Sequence, residues 1–171
     1  MSDRAGRISW YDPDPRAIFP LERLSTPSRL ARYVRNQGFE FSIDRAFEQV
    51  IRGCAERRPR WISEEMIRAY AELHREGHAH SVETWRADEF LGGIYGVAVQ
   101  GVFFGESMFS LVPNASKAAF FHLGGHLQDR GFELFDTQII NDHTRLLGAM
   151  EIPRSRFKSL LRQALAAPVA F

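Results

Sequence analysis

The 171-residue sequence contains a single cysteine, Cys54. One cysteine cannot form an intrachain disulfide, so the disulfide framework of a small secreted domain is excluded. No uninterrupted apolar run approaches the roughly 18 residues that a membrane-spanning helix needs. No apolar segment follows the first four residues as it would in a secretory signal peptide. We therefore expect a cytoplasmic protein that has no membrane partner.

The sequence also has little net charge, because 22 Lys and Arg against 21 Asp and Glu leave a formal charge of +1. This average hides an asymmetry: residues 1–60 carry 12 basic and 8 acidic side chains, whereas residues 61–171 carry 10 and 13. The basic excess predicts contact with phosphates, and the acidic excess suits a cationic substrate. Solvation of helix faces is the alternative role for the candidate arginines, which are Arg29, Arg32, Arg35, Arg52, Arg57, Arg58 and Arg60.

The composition supports one soluble globular domain with a large core. Hydrophobic residues make up 44% of the sequence, and 14 Phe and 3 Trp supply bulky apolar surface. Four prolines fall within residues 1–27 and predict an extended, non-helical N-terminal segment there. Residues 28–171 are then expected to form the domain itself.

Hydrophobic periodicity predicts the order of elements in this domain. Helical spacing indicates one helix capped by Ser42 and a second helix opened by Ser63. Strands are then predicted at 79–86, 90–99 and 102–109, followed by a helix that Asn114 caps and Gly131 ends, a buried strand at 132–138 and a helix near 155–165. This is the order of an N-acyltransferase-like (GNAT-like) α/β domain, in which helices flank a central, mostly antiparallel sheet.

Two short segments place acids among apolar neighbours. Glu106 lies within Gly-Glu-Ser-Met-Phe at residues 105–109, and Asp136 and Gln138 flank a threonine in the last predicted strand. Side chains alternate between the two faces of a strand, so Asp136 and Gln138 are expected to point toward one site. Acids in such apolar surroundings predict a functional cluster.

Together with their flanks, these segments resemble the leucyl/phenylalanyl-tRNA-protein transferase family. The resemblance runs from about Trp10 to Arg154 and includes residues 77–83, 114–117, 141–143, 147–149 and 151–154. Longer family members carry an N-terminal Gly-Ile-Phe-Pro-Trp motif that this sequence lacks, so we expect a short form. The resemblance implies an enzyme that transfers Leu or Phe from aminoacyl-tRNA to proteins beginning with Arg or Lys, which marks them for degradation as N-degrons (the N-end rule).

The resemblance also implies roles for the polar residues. Asp136 matches the family's essential acid, Gln138 matches the amide beside it, and Glu106 matches the glutamate of the first segment. Two acids that face a small cleft would attract an acceptor whose first residue is basic. Ser107 is expected to be a minor hydrogen-bonding partner. The alternative for both acids is a structural role in which they bind backbone amides.

A donor site is implied as well. Trp61 matches a tryptophan that stacks on the terminal adenosine, although a hydrophobic anchor at a helix start would also explain it. Four residues correspond to the family's apolar pocket for the donor side chain: Ile94, Phe103, Leu123 and Leu127. Each of them alone is better explained as a core residue, so the pocket is expected only for the group. The residues expected to bind tRNA are Arg52, Arg57, Arg58, Arg60 and Lys117.

No cofactor and no metal are predicted. Acetyl-CoA enzymes of this architecture hold the pyrophosphate on a glycine-rich turn before a helix, whereas residues 109–117 contain no glycine. The donor is therefore expected to be aminoacyl-tRNA and not coenzyme A. Gly77 interrupts the spacing between His74 and His78, and no thiolate joins these residues or His80, so a metal site is not expected.

Two other functions stay open at this point. One is an acyltransferase of related fold that acts on a small-molecule amine; the missing glycines weigh against it if coenzyme A is its donor. The other is a noncatalytic tRNA-binding module. Such a module would keep the basic residues but would not need Asp136 and Gln138, so the presence of both disfavours it.

Overall fold

The structure is a computed structural model that describes residues 11–57 and 60–171. Within these residues, one seven-stranded sheet is flanked by six α-helices, and a short 3-10 helix spans Leu21–Arg23. The strands are β1 (Arg16–Phe19), β2 (Glu40–Ile43), β3 (Ala79–Arg86), β4 (Glu89–Val99), β5 (Val102–Ser110), β6 (Leu134–Gln138) and β7 (Met150–Ile152). The helices are α1 (Ser28–Gln37), α2 (Phe47–Ala55), α3 (Glu64–Arg75), α4 (Ala115–Arg130), α5 (Asp142–Leu146) and α6 (Arg154–Ala164).

The strand order in the sheet is β2-β3-β4-β5-β6-β1-β7. Among the described strands, β5 and β6 are the one parallel pair, and α4 makes the crossover between them that a parallel pair requires. The pairing of β5 with β6 reaches Phe104 and Asp136. Both strands continue beyond this point, to Ser110 and Gln138. The carboxyl ends of β5 and β6 therefore separate, and the sheet opens there.

Two register irregularities lie beside this opening. The register of β4 against β5 shifts next to Tyr95 and leaves Glu106 as an extra residue on β5. The register of β1 against β6 shifts next to Ala17 and leaves Thr137 as an extra residue on β6. An extra residue bends its strand and turns the neighbouring side chains away from simple alternation. Both strands that border the opening are thus bent where they carry the predicted polar residues.

The first irregularity depends on a close approach between β4 and β5. A Cβ atom on Gly96 would lie only 2.2 Å from the carbonyl oxygen of Phe104. A Cβ atom on Gly105 would lie 2.9 Å from the ring of Phe135. Gly96 therefore lets the backbones of β4 and β5 pack at a distance that a side chain would prevent, and Gly105 leaves room for the ring of Phe135 on β6.

Helices cover both faces of the sheet. Helix α4 packs on one face, in the cluster that contains Ile94, whereas α2 and α3 pack on the other face around Tyr95 and Phe109. The consecutive residues Ile94 and Tyr95 belong to different clusters because side chains alternate along β4. Helix α6 covers the β1 and β6 end, where Phe157 packs against Ile18. The fold is the predicted α/β class, with a mostly antiparallel sheet.

Most predicted elements at the centre of the chain are confirmed. β3 has the predicted bounds, and β4 and β5 each differ from prediction by one residue at one end. The hydroxyl of Ser63 caps α3 and accepts a hydrogen bond from the amide of Met66 at 3.3 Å. Gly131 ends α4 with a left-handed φ of 82°, which glycine adopts without strain.

The two other predicted caps are wrong. Ser42 lies in β2, and its hydroxyl donates a hydrogen bond to the fully buried carboxylate of Glu83, which needs such donors. Asn114 stands at the N-cap of α4 but makes no side-chain cap. Instead, the hydroxyl of Ser110 accepts a hydrogen bond from the amide of Ser116 at 2.8 Å. In both cases, a longer-range partner replaces the local one that the pattern suggested.

The N-terminal segment predicted over residues 1–27 contributes to the sheet. Its strand β1 lies between β6 and β7, and Ile18 on it is opposite Asp136. Residues 1–10 lie outside the described part of the chain. Five further elements were not predicted from sequence patterns: α1, β1, β2, α5 and β7, of which only α1 is longer than five residues. Within the described residues, no helix is long and apolar enough to cross a membrane.

Candidate active site

The opening between β5 and β6 brings the three predicted catalytic side chains into one region. Asp136 is the last residue of β6 that pairs with β5, and Gln138 ends the same strand. Glu106 is the extra residue on β5, two residues beyond its last pair with β6. Asp136 lies close enough to Glu106 for its charge to raise the pKa of the Glu106 carboxyl group. The site therefore lies where the parallel strands separate.

Asp136 is fully buried and forms an ion pair with Arg16, the first residue of β1. Nε of Arg16 donates to Oδ1 of Asp136 at 2.9 Å, and Nη2 donates to Oδ2 at 2.6 Å. This two-bond arrangement fixes the plane of the carboxylate as well as its position. The guanidinium also lies 4.7 Å from the centre of the Phe157 ring. The family resemblance covers Arg16, but the sequence alone assigned it no role.

Gln138 is held against the same carboxylate. Its backbone amide donates to Oδ1 of Asp136 at 3.1 Å, and its side-chain Nε2 donates to Oδ2 at 3.3 Å. The expectation that these two residues share one site is confirmed, but simple alternation is not the reason. Thr137 is an extra residue, and Gln138 has a left-handed φ of 59°. The hydrogen bonds to Asp136 stabilise this uncommon conformation.

Glu106 occupies a different environment. Burial raises the pKa of its carboxyl group, and the charge of Asp136 raises it further, whereas a hydrogen bond with Tyr70 and the charge of Arg16 oppose the shift. Among the described residues, no basic side chain lies within ion-pairing distance of Glu106. Tyr95, also close to Glu106, is fully buried, and its hydroxyl has no hydrogen-bond partner among the described residues. In this cluster, Glu106 supplies the acidic group, and Tyr70 and Tyr95 supply neutral hydroxyl groups.

Ser107 and Cys54 lie next to this cluster. Burial raises the pKa of the Cys54 thiol to about 12, although a hydrogen bond with Ser107 and the charge of Arg57 lower it. Such a thiol is protonated at neutral pH and is a poor nucleophile. Ser107 is therefore engaged with a buried thiol, which agrees with a minor hydrogen-bonding role.

The predicted pocket residues lie together in the core. Ile94, Phe103, Leu123 and Leu127 are all buried, each at most 4% exposed, in the cluster beneath α4. The ring of Phe103 packs edge-on against the ring of Phe135, which lies one residue before Asp136. The structure thus brings the four residues together in one cluster on the α4 face of the sheet. Their contact with a donor side chain stays a prediction.

Trp61 and Arg57 follow α2, which packs on the face of the sheet opposite α4. Trp61 is half-buried and packs against the cluster of α2 and α3. Arg57 donates a hydrogen bond to the carbonyl oxygen of Met108 on β5. Burial lowers the pKa of His143 on α5, and the charges of Arg57 and Lys117 lower it further. Arg57, Lys117 and His143 therefore converge at the end of β5 and form what we call the basic trio.

The other predicted basic residues are placed differently. Arg52 is exposed and lies 3.5 Å from Glu64, so an acid already neutralises it. Arg60 is exposed and borders the same shallow cleft as Arg52. Arg58 lies outside the described residues. Arg29, Arg32 and Arg35 are exposed on α1, whose first turn has no acidic residue.

The histidines near β3 hold structural hydrogen bonds. Nδ1 of His80 lies 2.7 Å from Oδ2 of Asp44, and Nδ1 of His74 lies 2.8 Å from the carbonyl oxygen of Ala79. His78 is exposed and lies immediately before β3. In residues 11–57 and 60–171, no group of three or more His, Cys, Asp or Glu side chains is arranged to hold a metal ion.

The raised pKa of Glu106 predicts a pH-dependent stability change for Glu106→Gln. The pKa of Glu106 is raised in the folded protein above its unfolded value of about 4.5, so the fold favours the protonated carboxyl group. The resulting stabilisation is complete below the unfolded pKa and is lost as the pH rises through the folded pKa. Glu106→Gln should therefore raise the free energy of unfolding at pH 7.5, and the gain should shrink at pH 4. Urea unfolding at both pH values measures this difference.

The exposed Glu133→Gln variant is the matched control, and it should change stability little at either pH. A Glu106→Gln protein that is less stable than the parent at pH 7.5 would show that the charged carboxylate is stabilised in the fold, contrary to this account.

Comparison with known proteins supports the fold and identifies the family. The sequence profile described as leucyl/phenylalanyl-tRNA protein transferase matches residues 18–162. A leucyl/phenylalanyl-tRNA–protein transferase of Gloeobacter violaceus is 51% identical over 165 residues, covering 96% of this chain and 86% of the relative. A transferase of the same name from Herpetosiphon aurantiacus is 49% identical over 170 residues, covering 99% and 89%.

A solved structure with similar fold is the GCN5-related glucosamine N-acetyltransferase region of a fungal multi-domain GH3 beta-N-acetylglucosaminidase. It has a TM-score of 0.58 and 9% identity, and the match covers 82% of this chain and 20% of that one. This likeness concerns the fold alone and supports the predicted GNAT-like architecture. The match to the family profile and the identity to the two relatives extend over the strands that carry Asp136, Gln138 and Glu106, so the chain belongs to the leucyl/phenylalanyl-tRNA–protein transferase family.

Proposed function

We propose that this protein transfers Leu or Phe from aminoacyl-tRNA to the N-terminal Arg or Lys of acceptor proteins, and thereby marks them for degradation as N-degrons. The observation that carries the proposal is the fixed pair of Asp136 and Gln138 at the opening of the sheet. The opening is bordered by polar groups on both strands, which suits a reaction between two substrates that enter from different directions. Family membership supplies the identity of the donor.

The reaction is aminolysis of an ester. The α-amine of the acceptor attacks the ester carbonyl of the aminoacyl-tRNA, a peptide bond forms, and the 3′-terminal ribose oxygen leaves with a proton from the amine. An ester is already activated, so positioning and stabilisation of developing charge can supply most of the rate. A covalent intermediate is not required, and the protonated Cys54 thiol is not suited to forming one.

Gln138 is the residue that we place closest to the reacting groups. A carboxylate accepts hydrogen bonds, so the NH₂ group of Gln138 faces Asp136 and its Oε1 is turned away from it. This oxygen is then available to accept a hydrogen bond from the attacking amine. The amine develops positive charge as the bond forms, and a fixed amide oxygen stabilises that charge without reorganising.

For the donor, the proposal retains the predicted contacts. Trp61 offers an indole face to the terminal adenosine, and Ile94, Phe103, Leu123 and Leu127, which form one buried apolar cluster on the α4 side of the sheet, are the candidate pocket. These four residues are buried, so the donor side chain must displace part of this packing or bind at its edge. Apolar burial of a Leu or Phe side chain contributes about 1.5–3 kcal/mol, which is enough to favour them over polar side chains.

For the tRNA backbone, Arg57 and Lys117 of the basic trio are the strongest candidates within the described residues, whereas His143, whose pKa is lowered, offers a hydrogen bond but no positive charge at neutral pH. Arg57 lies in the loop after α2, Lys117 in α4 and His143 in α5, and no acidic side chain in the described part of the chain lies within ion-pairing distance of Arg57 or Lys117. Arg52 and Arg60 form a second, weaker candidate group because Glu64 neutralises Arg52. Arg58 is kept as a candidate from sequence alone.

The rival acetyl-CoA-dependent function is disfavoured by the start of α4. Enzymes that bind a pyrophosphate there use free backbone N–H groups of the first turn. In this protein the hydroxyl of Ser110 already accepts the hydrogen bond of the Ser116 amide. The turn before the helix contains Pro113 and no glycine, so the backbone also lacks one donor and the freedom to wrap around a phosphate.

The function predicts a defined pattern of substrates. Purified protein should transfer labelled Leu or Phe from charged tRNA to a model acceptor that begins with Arg or Lys, because the acidic site favours a cationic first residue. Matched acceptors that begin with Glu or Ala should react at least about tenfold more slowly, a difference that corresponds to about 1.4 kcal/mol. Acetyl transfer from acetyl-CoA without any aminoacyl transfer would support the rival function instead.

The basic trio predicts the salt dependence of tRNA binding. Changing both Arg57 and Lys117 to Ala should weaken binding and flatten the slope of log K against log salt by about 0.7–0.9 for each phosphate that the variant no longer neutralises. The measurement is a binding titration at several salt concentrations. Arg162→Ala is the control. It removes one positive charge from an exposed arginine of α6, as each substitution of the double variant removes one. A double variant that binds tRNA with the parent's slope would place the phosphate-binding surface elsewhere.

A further inference from the structure

The acceptor sites of the Asp136 carboxylate are all in use. A carboxylate offers about four lone-pair sites to donors. Arg16 occupies one on each oxygen, at 2.9 and 2.6 Å, and Gln138 occupies one on each oxygen, at 3.1 and 3.3 Å. The carboxylate is also fully buried. A substrate amine would have to displace one of these donors before it could bind Asp136.

The position of Arg16 in the sheet explains how it can donate a hydrogen bond to each oxygen of the Asp136 carboxylate. β1 lies next to β6 in the sheet, and Arg16 stands at its start, beside the bulge at Thr137. The side chain of Arg16 is 11% exposed, and its guanidinium lies over the ring of Phe157. Packing and two hydrogen bonds therefore hold the guanidinium in one orientation, which a flexible lysine ammonium could not reproduce.

Glu106 differs from Asp136 in each of these respects. It is only partly buried, and the described residues place no basic side chain within ion-pairing distance of it. Its neighbours, Tyr70 and Tyr95, offer hydroxyl groups and aromatic faces but no positive charge. Within the described residues, Glu106 is thus the acid at this site that has no cationic partner, and its charge is available to a cation from outside.

We propose that Arg16 is a positioning residue for the transfer reaction: its paired hydrogen bonds neutralise Asp136 and aim that carboxylate at Gln138, so that Glu106 alone receives the cationic first residue of the acceptor. This inference rests on the proposed function. It divides the two acids between separate tasks. Asp136 acts on the rate through Gln138, and Glu106 acts on acceptor binding.

The first test is Arg16→Lys, which keeps the charge but removes the two-bond geometry. Steady-state transfer from leucyl-tRNA to a peptide that begins with Arg should show kcat lowered by at least about tenfold, with the acceptor KM within about twofold of the parent. Glu106→Gln should show the opposite pattern, a raised acceptor KM with a smaller change in kcat. Arg154→Lys is the matched control, because Arg154 also contacts Asp12 but lies outside the site, and it should match the parent.

A second variant separates positioning from stability. Arg16→Met combined with Asp136→Leu removes both charges, and replacing both members of a buried pair with apolar groups is often neutral for stability. Its thermal melting temperature should stay close to that of the parent, while transfer stays abolished. Single Arg16→Met should melt lower, because it leaves Asp136 buried and unpaired.

Three results would overturn the inference: parent-like kcat in Arg16→Lys, a defect in that variant confined to acceptor KM, or recovery of transfer together with melting temperature in the double variant. An active parent with an equally active Arg16→Lys would count against this inference alone. A parent that transfers neither Leu nor Phe would overturn the proposed function and this inference with it.

Discussion

The buried ion pair between Arg16 and Asp136 is the interaction on which the rest of the site depends. The two residues are 120 positions apart in the chain, and the pair joins the first described strand to the strand that ends at the site. Breaking a buried pair by removing one partner costs about 3–5 kcal/mol, because the other charge is left without a partner. The position of Asp136, and through it that of Gln138, is therefore fixed by the packing of β1 into the sheet.

The sheet supplies the space in which these residues act. Parallel pairing of β5 and β6 stops at Asp136, and an extra residue on each strand bends it there. Glu106 on β5 remains partly buried with a raised pKa, whereas Asp136 on β6 is saturated with hydrogen bonds. Two acids in such different environments are suited to different tasks, and this difference arises from strand geometry instead of residue type.

Sequence patterns predicted the parts of the fold that depend on interactions between residues close in the chain. Alternation in β3, β4 and β5 and the Ser63 cap were found because each depends on residues close in the chain. The Ser42 cap failed because a buried carboxylate 41 residues away recruits that hydroxyl. Resemblance to the family identified Asp136, Gln138 and Glu106, but the partner Arg16 could not be derived from spacing, since only the sheet order brings it next to Asp136. The bulges carried no sequence signal beyond the glycines beside Glu106.

The measurement that tests the central claim most directly is the single-turnover rate of aminoacyl transfer in Gln138→Ala. With saturating leucyl-tRNA and an acceptor beginning with Arg, this rate excludes substrate binding and product release from the comparison. The rate should be at least about tenfold below that of the parent, or about 1.4 kcal/mol less transition-state stabilisation, and the melting temperature should stay close to that of the parent because Gln138 is only half-buried. A Gln138→Ala protein that transfers Leu at the parent's rate would contradict the central claim.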